Sequence, residues 1–201
     1  MQSKSLNVAV VDTNPIRAAI LCDGLQAAGI ETVHVIRDTT GVMRVLADLA
    51  PDVVIIDLED PNRDVLEQMF QVSRSVSRPV AMFVDQSDAS MIEAAIDAGV
   101  SAYIVDGLRA DRVKPIVDMA ISRFNAFARL RRELDETRQE LADRKTVDRA
   151  KGLLMRAKGL GEAEAYALLR STAMKQSRKI IDVAESIILA ADLLGPKGDA
   201  S

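Results

Sequence analysis

The sequence predicts an α/β fold in which five parallel strands form one open sheet, followed by a long helix and a small three-helix bundle. Short β-branched runs alternate five times with amphipathic segments over the first ~120 residues. The strands are almost continuously apolar, which indicates burial on both faces, and parallel strands need helical crossovers. Beyond Pro115 there is no proline before Pro196, and no glycine occurs between Gly107 and Gly152. One long helix from Asp111 to about Lys158 is therefore expected.

The five strand and helix pairs can be assigned in order. The first consists of LNVAVVD (6–12) and NPIRAAILCDGLQAAG (14–29), where apolar residues at helical spacing end at a glycine. Four pairs follow: ETVHVI (31–36) with TTGVMRVLADLA (39–50), DVVIIDL (52–58) with a helix near 63–73, RPVAMFVD (78–85) with DASMIEAAIDAG (88–99), and SAYIVD (101–106) with RADRVKPIVDMAISRF (109–124).

The long helix carries a short apolar seam. Phe127, Leu130, Leu134 and Leu141 fall on the a and d positions of a heptad repeat, and charged residues fill most other positions. About two heptads suit dimerisation when a folded domain holds each helix. The alternative is a solvated linker helix that packs back on its own sheet domain.

Three helical pieces make up the C-terminal segment. The first ends at Gly159, the second is EAEAYALLRSTAMK (162–175), and the third is expected to begin at a cap, Ser177, and to stop at Gly195-Pro196. We therefore divide the chain into a sheet domain (1–122), a coiled-coil linker helix (123–142) and a three-helix domain (143–201).

Several classes of protein are excluded by composition. No apolar run approaches the ~18 residues that span a bilayer, and the N-terminus MQSKSLNVAVVD lacks the sections of a signal peptide. A cytoplasmic protein without membrane contact is expected. The single cysteine, Cys22, and the single histidine, His34, leave no disulfide and no Cys/His zinc site to propose.

Charge is distributed unevenly along the chain. Residues 1–126 carry 11 basic and 18 acidic side chains, whereas residues 127–201 carry 15 basic and 12 acidic ones. Residues 151–180 are the most basic, with seven lysines and arginines against two glutamates. A basic segment within an acidic protein is typical of a local nucleic-acid contact.

Several of the predicted strands end in an aspartate. In open parallel sheets, ligands bind and reactions occur at the carboxyl ends of the strands. Asp57 in DVVIIDLEDP and Asp12 in VAVVDTN carry a family resemblance. Residues 6 to about 122 resemble the flavodoxin-like receiver domain of bacterial response regulators. The resemblance implies a phospho-acceptor at Asp57, an acidic pocket with Asp12 and Asp106, and a weak candidate site for Mg²⁺ at Asp12 and Asp57.

The receiver pattern is incomplete. Thr13 stands where the second metal-binding acid is expected, Val84 replaces the switch hydroxyl, and Asp106 replaces the lysine that would contact a phosphoryl group. An added negative charge beside Asp57 disfavours an aspartyl phosphate. We expect an atypical receiver that is regulated mainly by protein binding, with phosphorylation as the alternative; each single aspartate could instead cap a strand-to-helix turn.

The C-terminal segment, about 137–194, resembles the ANTAR domain, the RNA-binding output module of transcription antiterminators. The matching stretches are AKGLLM (150–155), Gly159, EAYALLR (164–170), Met174 and DVAESII (182–188). The resemblance implies binding of paired stem-loops in leader RNA, which prevents a terminator hairpin from forming and so acts indirectly on RNA polymerase. The candidate RNA-binding residues are Lys151, Gly152, Arg156, Arg170, Lys175, Arg178 and Lys179.

The sequence segments FVDQS and AYIVDGL are similar to those of the branch of this family that serves nitrate and nitrite assimilation. That similarity implies a cytoplasmic ligand-sensing partner protein that holds the regulator inactive. Two other functions stay open from the residues: a DNA-binding response regulator, and a protein-interaction module without nucleic acid. An enzyme is the poorest interpretation, because no nucleophile and base pair or phosphate-cradling loop is present, and no cofactor beyond Mg²⁺ is expected.

Overall fold

The computed structural model of the protein describes residues 6–59 and 62–194. The chain forms two compact units, and the boundary between them lies between Arg129 and Leu130. The N-terminal unit holds all five strands, and the C-terminal unit is helical.

The N-terminal unit is built on the predicted parallel sheet. Its strands run in the order β2-β1-β3-β4-β5, and every neighbouring pair is parallel. Because β1 and β3 are neighbours at the point where the strand order reverses, residues at their carboxyl ends come together. The strands are β1 (Asn7–Val11), β2 (Thr32–Ile36), β3 (Val53–Leu58), β4 (Val80–Val84) and β5 (Ala102–Val105).

The described residues form seven helices, and those of the N-terminal unit cover both faces of the sheet. They are α1 (Pro15–Ala27), α2 (Val42–Leu49), α3 (Arg63–Ser75), α4 (Ala89–Asp97), α5 (Ala110–Lys158), α6 (Glu162–Lys175) and α7 (Ile180–Leu194). Residues alternate along β1: Val8 and Val10 pack with α1 and α5, while Ala9 and Val11 pack with the core under α2, α3 and α4. The two-faced burial predicted from the apolar strands is confirmed.

Gly24 shows how closely α1 packs against α5. A Cβ atom at this position would lie 2.6 Å from the carbonyl oxygen of Ala110 and 2.9 Å from Cγ2 of Val113. A glycine inside a helix costs ~1 kcal/mol relative to alanine. Here that cost permits a helix contact that no side chain would allow, so α1 is held tightly at one face of the sheet.

The long helix is present as expected. Helix α5 is 49 residues long and contributes to both units, and Gly159 ends it with φ 69° and an N–H donated to the carbonyl oxygen of Met155. Phe127, Leu130, Leu134 and Leu141 are 49–64% exposed in the single chain. Nothing within the described residues covers the seam that they form.

The C-terminal unit packs the end of α5 with α6 and α7 around one small core. Its fully or nearly buried residues are Ala150, Leu154, Ala165, Leu169, Ala173, Val183 and Ala184. Four of these seven are alanines, which let the helix backbones approach closely. The predicted three-helix bundle is therefore confirmed.

One predicted helix boundary is wrong. Ser177 was expected to cap α7, but it has φ 52° and belongs to the end of α6. The N–H of Arg178 donates to Ala173 O and that of Ser177 to Met174 O, which is the Schellman arrangement of a helix C-terminus. Helix α7 begins later, at Ile180, and its predicted stop at Gly195-Pro196 lies outside the described residues.

No helix among residues 6–59 and 62–194 combines the length and the apolarity that a membrane crossing requires.

Candidate functional site

Two of the predicted acids meet at the carboxyl edge of the sheet. Asp12 follows β1 directly and Asp57 is the fifth residue of β3, and their residues are only 3% and 2% exposed. The N–H of Asp12 donates to Ile36 O, which continues the β1–β2 ladder to this position. The joint placement expected for Asp12 and Asp57 is therefore what the sheet produces.

Arg17, which the sequence analysis did not identify, forms ion pairs with acids at this edge of the sheet. Arg17 donates from Nε to Asp57 Oδ2 at 2.7 Å and from Nη2 to Asp57 Oδ1 at 2.7 Å. Its remaining nitrogen, Nη1, lies 2.8 Å from Asp85 Oδ1 in the loop after β4. The Asp57 side chain is completely buried and that of Arg17 is 16% exposed. A two-point ion pair with so little solvent is among the stronger polar contacts in proteins.

Arg17 reaches the acids because α1 begins beside them. The side-chain oxygen of Asn14 caps α1 by accepting the N–H groups of Ile16 and Arg17. The backbone N–H of Asn14 donates to Asp12 Oδ1 at 2.7 Å. Arg17 is the third residue of the helix, where the helix dipole disfavours a positive charge. A cation in the first turn, five residues after a strand-ending aspartate, was the available signal.

Asp12 is the acid left without full compensation. Its Oδ2 atom is buried without a hydrogen-bond partner in the described part of the chain. Burial is the largest cause that raises its pKa, and the neighbouring Asp57 adds to the effect, while the Asn14 N–H and Arg17 oppose it. The pKa of Asp12 rises from 3.8 to about 6. Its protonated form would donate to Asp57, which links the two carboxyl groups.

The other atypical positions do not join this cluster. Asp106 follows β5 with φ 47° and an exposed side chain, and it makes no side-chain hydrogen bond or ion pair within residues 6–59 and 62–194. Thr13 is exposed, and Val84 is a buried residue at the end of β4. The hydrogen-bonded cluster at this edge is therefore formed by Arg17 with Asp57 and Asp85, beside Asp12, and Asp106 makes no bond to it within the described residues.

The residues present do not fit the Mg²⁺ ion that receiver domains typically bind. The described residues include no group of three or more acidic, histidine or cysteine side chains able to hold a metal. Both oxygens of Asp57 are already bonded to a guanidinium group. A divalent cation at Asp12 and Asp57 would have to displace Arg17 and tolerate its charge.

A second site lies in the C-terminal unit, where the end of α5 faces α6 and the start of α7. It is an open groove of about 550 Å³, and its lining includes Arg144, Lys151, Gly152, Met155, Glu162 and Tyr166. Tyr166 is 46% exposed, so its ring is accessible on this surface. An exposed aromatic beside cations suits stacking of an unpaired base.

Lys151 occupies this groove as an ion-paired residue. Its Nζ atom lies 2.7 Å from Asp148 Oδ1 and 2.8 Å from Glu162 Oε1, and its side chain is only 15% exposed. Both contacts raise the pKa of Lys151, and the one with Glu162 joins α5 to α6. Lys151 therefore presents little free charge to a ligand.

The remaining predicted cations are on the surface. Arg178 is held by Asp182 O and Ser186 Oγ at the start of α7, at 2.9 and 3.0 Å. Arg170 lies one helical turn after Tyr166 and so shares its face of α6. Within the described residues no ion pair engages the exposed side chains of Arg156, Arg170, Lys175 and Lys179.

Gly152 faces the groove with open space. Apart from its chain neighbours and the backbone of its own helix turn, the described residues place only Nη1 of Arg156 within 4 Å of a Cβ built at this position, at 3.7 Å. Among residues 6–59 and 62–194, no other helix approaches this position closely enough to require a glycine, although glycine weakens the helix.

The raised pKa of Asp12 predicts a pH-dependent effect of the substitution Asp12→Asn, which imitates the protonated carboxyl. The stabilisation from the raised native pKa is complete below pH 3.8 and is lost as pH rises through about 6. Asp12→Asn should therefore exceed the wild type in free energy of unfolding by about 1–3 kcal/mol at pH 8, and by much less at pH 4. Urea unfolding at both pH values measures this.

Asp23→Asn is the matched control, because Asp23 is an exposed acid on the same helix, α1. Its effect on the free energy of unfolding should be small at both pH values. An Asp12→Asn effect of the same size at pH 4 and pH 8 would contradict the assignment.

Comparison with known proteins identifies a family for each of the two units. Residues 8–118 match the response regulator receiver domain family, and residues 135–188 match the ANTAR domain. The transcriptional regulatory protein PdtaR of Mycobacterium tuberculosis is 29% identical over 168 residues, which cover 84% of this chain and 82% of the relative. The aliphatic amidase regulator of Pseudomonas aeruginosa is 24% identical over 142 residues, covering 70% and 72% of the two chains.

Solved structures share the fold of the N-terminal unit. A response regulator from Thermotoga maritima superposes with a TM-score of 0.52 at 22% identity, over 59% of this chain and 99% of that one. The receiver domain of a modulated diguanylate cyclase from Desulfovibrio desulfuricans gives a TM-score of 0.52 at 20% identity, over 61% and 98% of the two chains. The receiver match covers more than half of the sequence. The chain therefore belongs to the response regulator receiver domain family, and it carries an ANTAR domain in its C-terminal unit.

Proposed function

We propose that this protein is a cytoplasmic, non-enzymatic regulator of transcription antitermination that binds paired stem-loops in leader RNA through its C-terminal unit. Bound protein would hold the stem-loops and keep the terminator hairpin from forming, so that RNA polymerase continues into the operon. The combination of receiver and ANTAR domains supports this function. Two relatives are themselves named as regulators, one of them of transcription.

Gly152 is the observation that carries the proposal. Glycine is unfavourable inside a helix. Within the described residues, no other helix packs against Gly152 closely enough to require a glycine there. An outside ligand that approaches the backbone of α5 closely supplies the missing reason. The groove beside Gly152 also offers Arg144 and the half-exposed ring of Tyr166.

The chemistry of this surface favours RNA with unpaired bases. Loop bases can stack on an aromatic ring, and their phosphates are neutralised by arginine and lysine. Arg170 and Arg156 are exposed cations close to the groove in sequence and on the helices. Lys151 holds α5 and α6 together through Glu162, so we assign it to shaping the groove and not to phosphate contact.

Control by the receiver unit is the second part of the proposal. We expect a cytoplasmic ligand-sensing protein to hold the regulator inactive, with nitrate or nitrite assimilation genes as the target. The Arg17 ion pair on Asp57 supports protein contact over phosphorylation, because the nucleophilic oxygens of Asp57 are engaged.

Dimerisation through the seam on α5 is the third part. Phe127, Leu130, Leu134 and Leu141 leave large apolar side chains in water in the single chain. A second copy with the same a and d residues would bury them symmetrically. Two stem-loops in one leader would then be matched by two RNA-binding units.

Crosslinking the protein to RNA in cells and sequencing the bound fragments tests the function directly. We expect leader segments with two neighbouring stem-loops upstream of a terminator. Enrichment of duplex DNA, or of no nucleic acid, would instead support a DNA-binding regulator or a protein-interaction module. The leader recovered in this way then serves as the ligand for the variants.

Gly152→Gln should fill the groove. Glutamine is a good helix former, so the thermal midpoint should stay the same or rise, while the dissociation constant for the recovered leader increases by roughly tenfold or more. Ala157→Gln, at an exposed position of the same helix, is the matched control and should leave the affinity unchanged. Equal affinities for both variants would remove Gly152 from the interface.

Arg170→Ala should weaken RNA binding without unfolding the bundle. Loss of one phosphate contact reduces the slope of log affinity against log salt by about 0.7–0.9, in addition to raising the dissociation constant. Lys145→Ala removes the same charge from an exposed position on α5 and serves as the control. A slope that is the same for Arg170→Ala and Lys145→Ala would contradict the assignment.

Leu134→Glu should convert a dimer into a monomer. It places like charges opposite each other in a seam that has only about two heptads to hold it. Light scattering during size-exclusion chromatography measures the mass, and Arg138→Glu changes charge on the same exposed stretch outside the a and d positions. A wild-type protein that is monomeric at all concentrations would disprove the seam as a dimer interface.

A further inference from the structure

Three acids converge on a single cation at the carboxyl edge of the sheet. Arg17 binds both oxygens of Asp57 at 2.7 Å and Asp85 at 2.8 Å, and Asp12 lies beside Asp57 in the same buried cluster. All three nitrogens of the guanidinium group are engaged. The position of Arg17 on α1 is therefore determined by contacts with strand β3 and with the loop after β4.

The direction of these contacts matters for metal binding. Mg²⁺ needs oxygen ligands at about 2.0–2.1 Å in near-octahedral geometry, and it binds through one or two carboxylates together with water. Here both Asp57 oxygens point at the guanidinium group, and Thr13 supplies no second acid beside Asp12. Because Arg17 is part of the same chain, its effective concentration at Asp57 is high, and a free metal ion must compete with it for the carboxylate.

We infer that Arg17 is a built-in cation that takes the place of the divalent metal ion in this receiver and keeps Asp57 closed to it. The guanidinium group supplies the positive charge that a cluster of buried acids requires. It also occupies the oxygens that a nucleophilic attack on a phosphoryl group would use.

Two features of the structure make this arrangement specific. The first is the placement of a positive charge in the first turn of α1 against the helix dipole, which only the acids opposite it offset. The second is burial, since the Asp57 side chain has no solvent contact and so cannot be neutralised by bulk ions. Removing Arg17 should leave a charged cavity that recruits a cation from solution.

The experiment is a thermal unfolding titration with MgCl₂, matched in ionic strength by NaCl, on the full chain. The thermal midpoint of the wild type should not respond to Mg²⁺. Arg17→Gln should unfold at a lower temperature in NaCl and recover by roughly 3 °C or more at millimolar Mg²⁺, with saturation. The recovery should disappear in the double variant with Asp57→Asn, which shows where the ion binds.

Arg74→Gln is the matched control, because Arg74 is ion-paired with Glu67 on the surface of the same unit. Its midpoint should be as insensitive to Mg²⁺ as that of the wild type. A folded Arg17→Gln protein without a specific response to Mg²⁺ would overturn the inference.

A second measurement decides the matter if Arg17→Gln does not fold. Mn²⁺ is titrated into the wild type, and the electron paramagnetic resonance signal of the free ion is followed. We expect the same free-ion signal for the wild type and Asp57→Asn. Binding of Mn²⁺ by the wild type that is lost in Asp57→Asn would show that Arg17 does not exclude the metal.

Discussion

The buried ion pair between Arg17 and Asp57 is the interaction on which the N-terminal unit depends. A carboxylate without solvent contact needs a partner, because an unpaired buried charge costs several kcal/mol. The strand order brings Asp12 and Asp57 together, and the start of α1 delivers the guanidinium group to them. The close contact at Gly24 holds that helix against α5 and so helps to keep the arginine in place. Electrostatics and packing therefore support the same helix position.

The C-terminal unit separates its charges into two groups. Some cations serve the fold: Lys151 joins α5 to α6, and Arg149 joins α5 to α7 through Asp192 at 2.8 Å. Each of these pairs has a partner that is largely in solvent, so the pairs orient the helices more than they stabilise them. Other cations, such as Arg170, are left in water. A ligand can use the second group without disrupting the first.

Sequence reasoning succeeded where one strong pattern dominated. The alternation of apolar strands with helices, the absence of helix breakers through α5 and the cap at Gly159 all led to the correct elements. It failed at Ser177, because serine is a preferred N-cap residue, whereas the left-handed position of a Schellman turn that it occupies is normally taken by glycine.

The sequence by itself determined the two kinds of folding unit, the acids at the strand ends and the basic character of the last helices, because these depend on residue type and spacing along the chain. Only the tertiary structure decided which charges are paired. Arg17 and Asp57 are 40 residues apart, and Lys151 and Glu162 are separated by a turn, so their contacts arise from strand order and helix packing. Asp106 was expected in the pocket on sequence grounds, yet its backbone conformation and exposure leave it outside the cluster. Side-chain direction and burial decide whether a charge is neutralised, and both depend on the folded backbone.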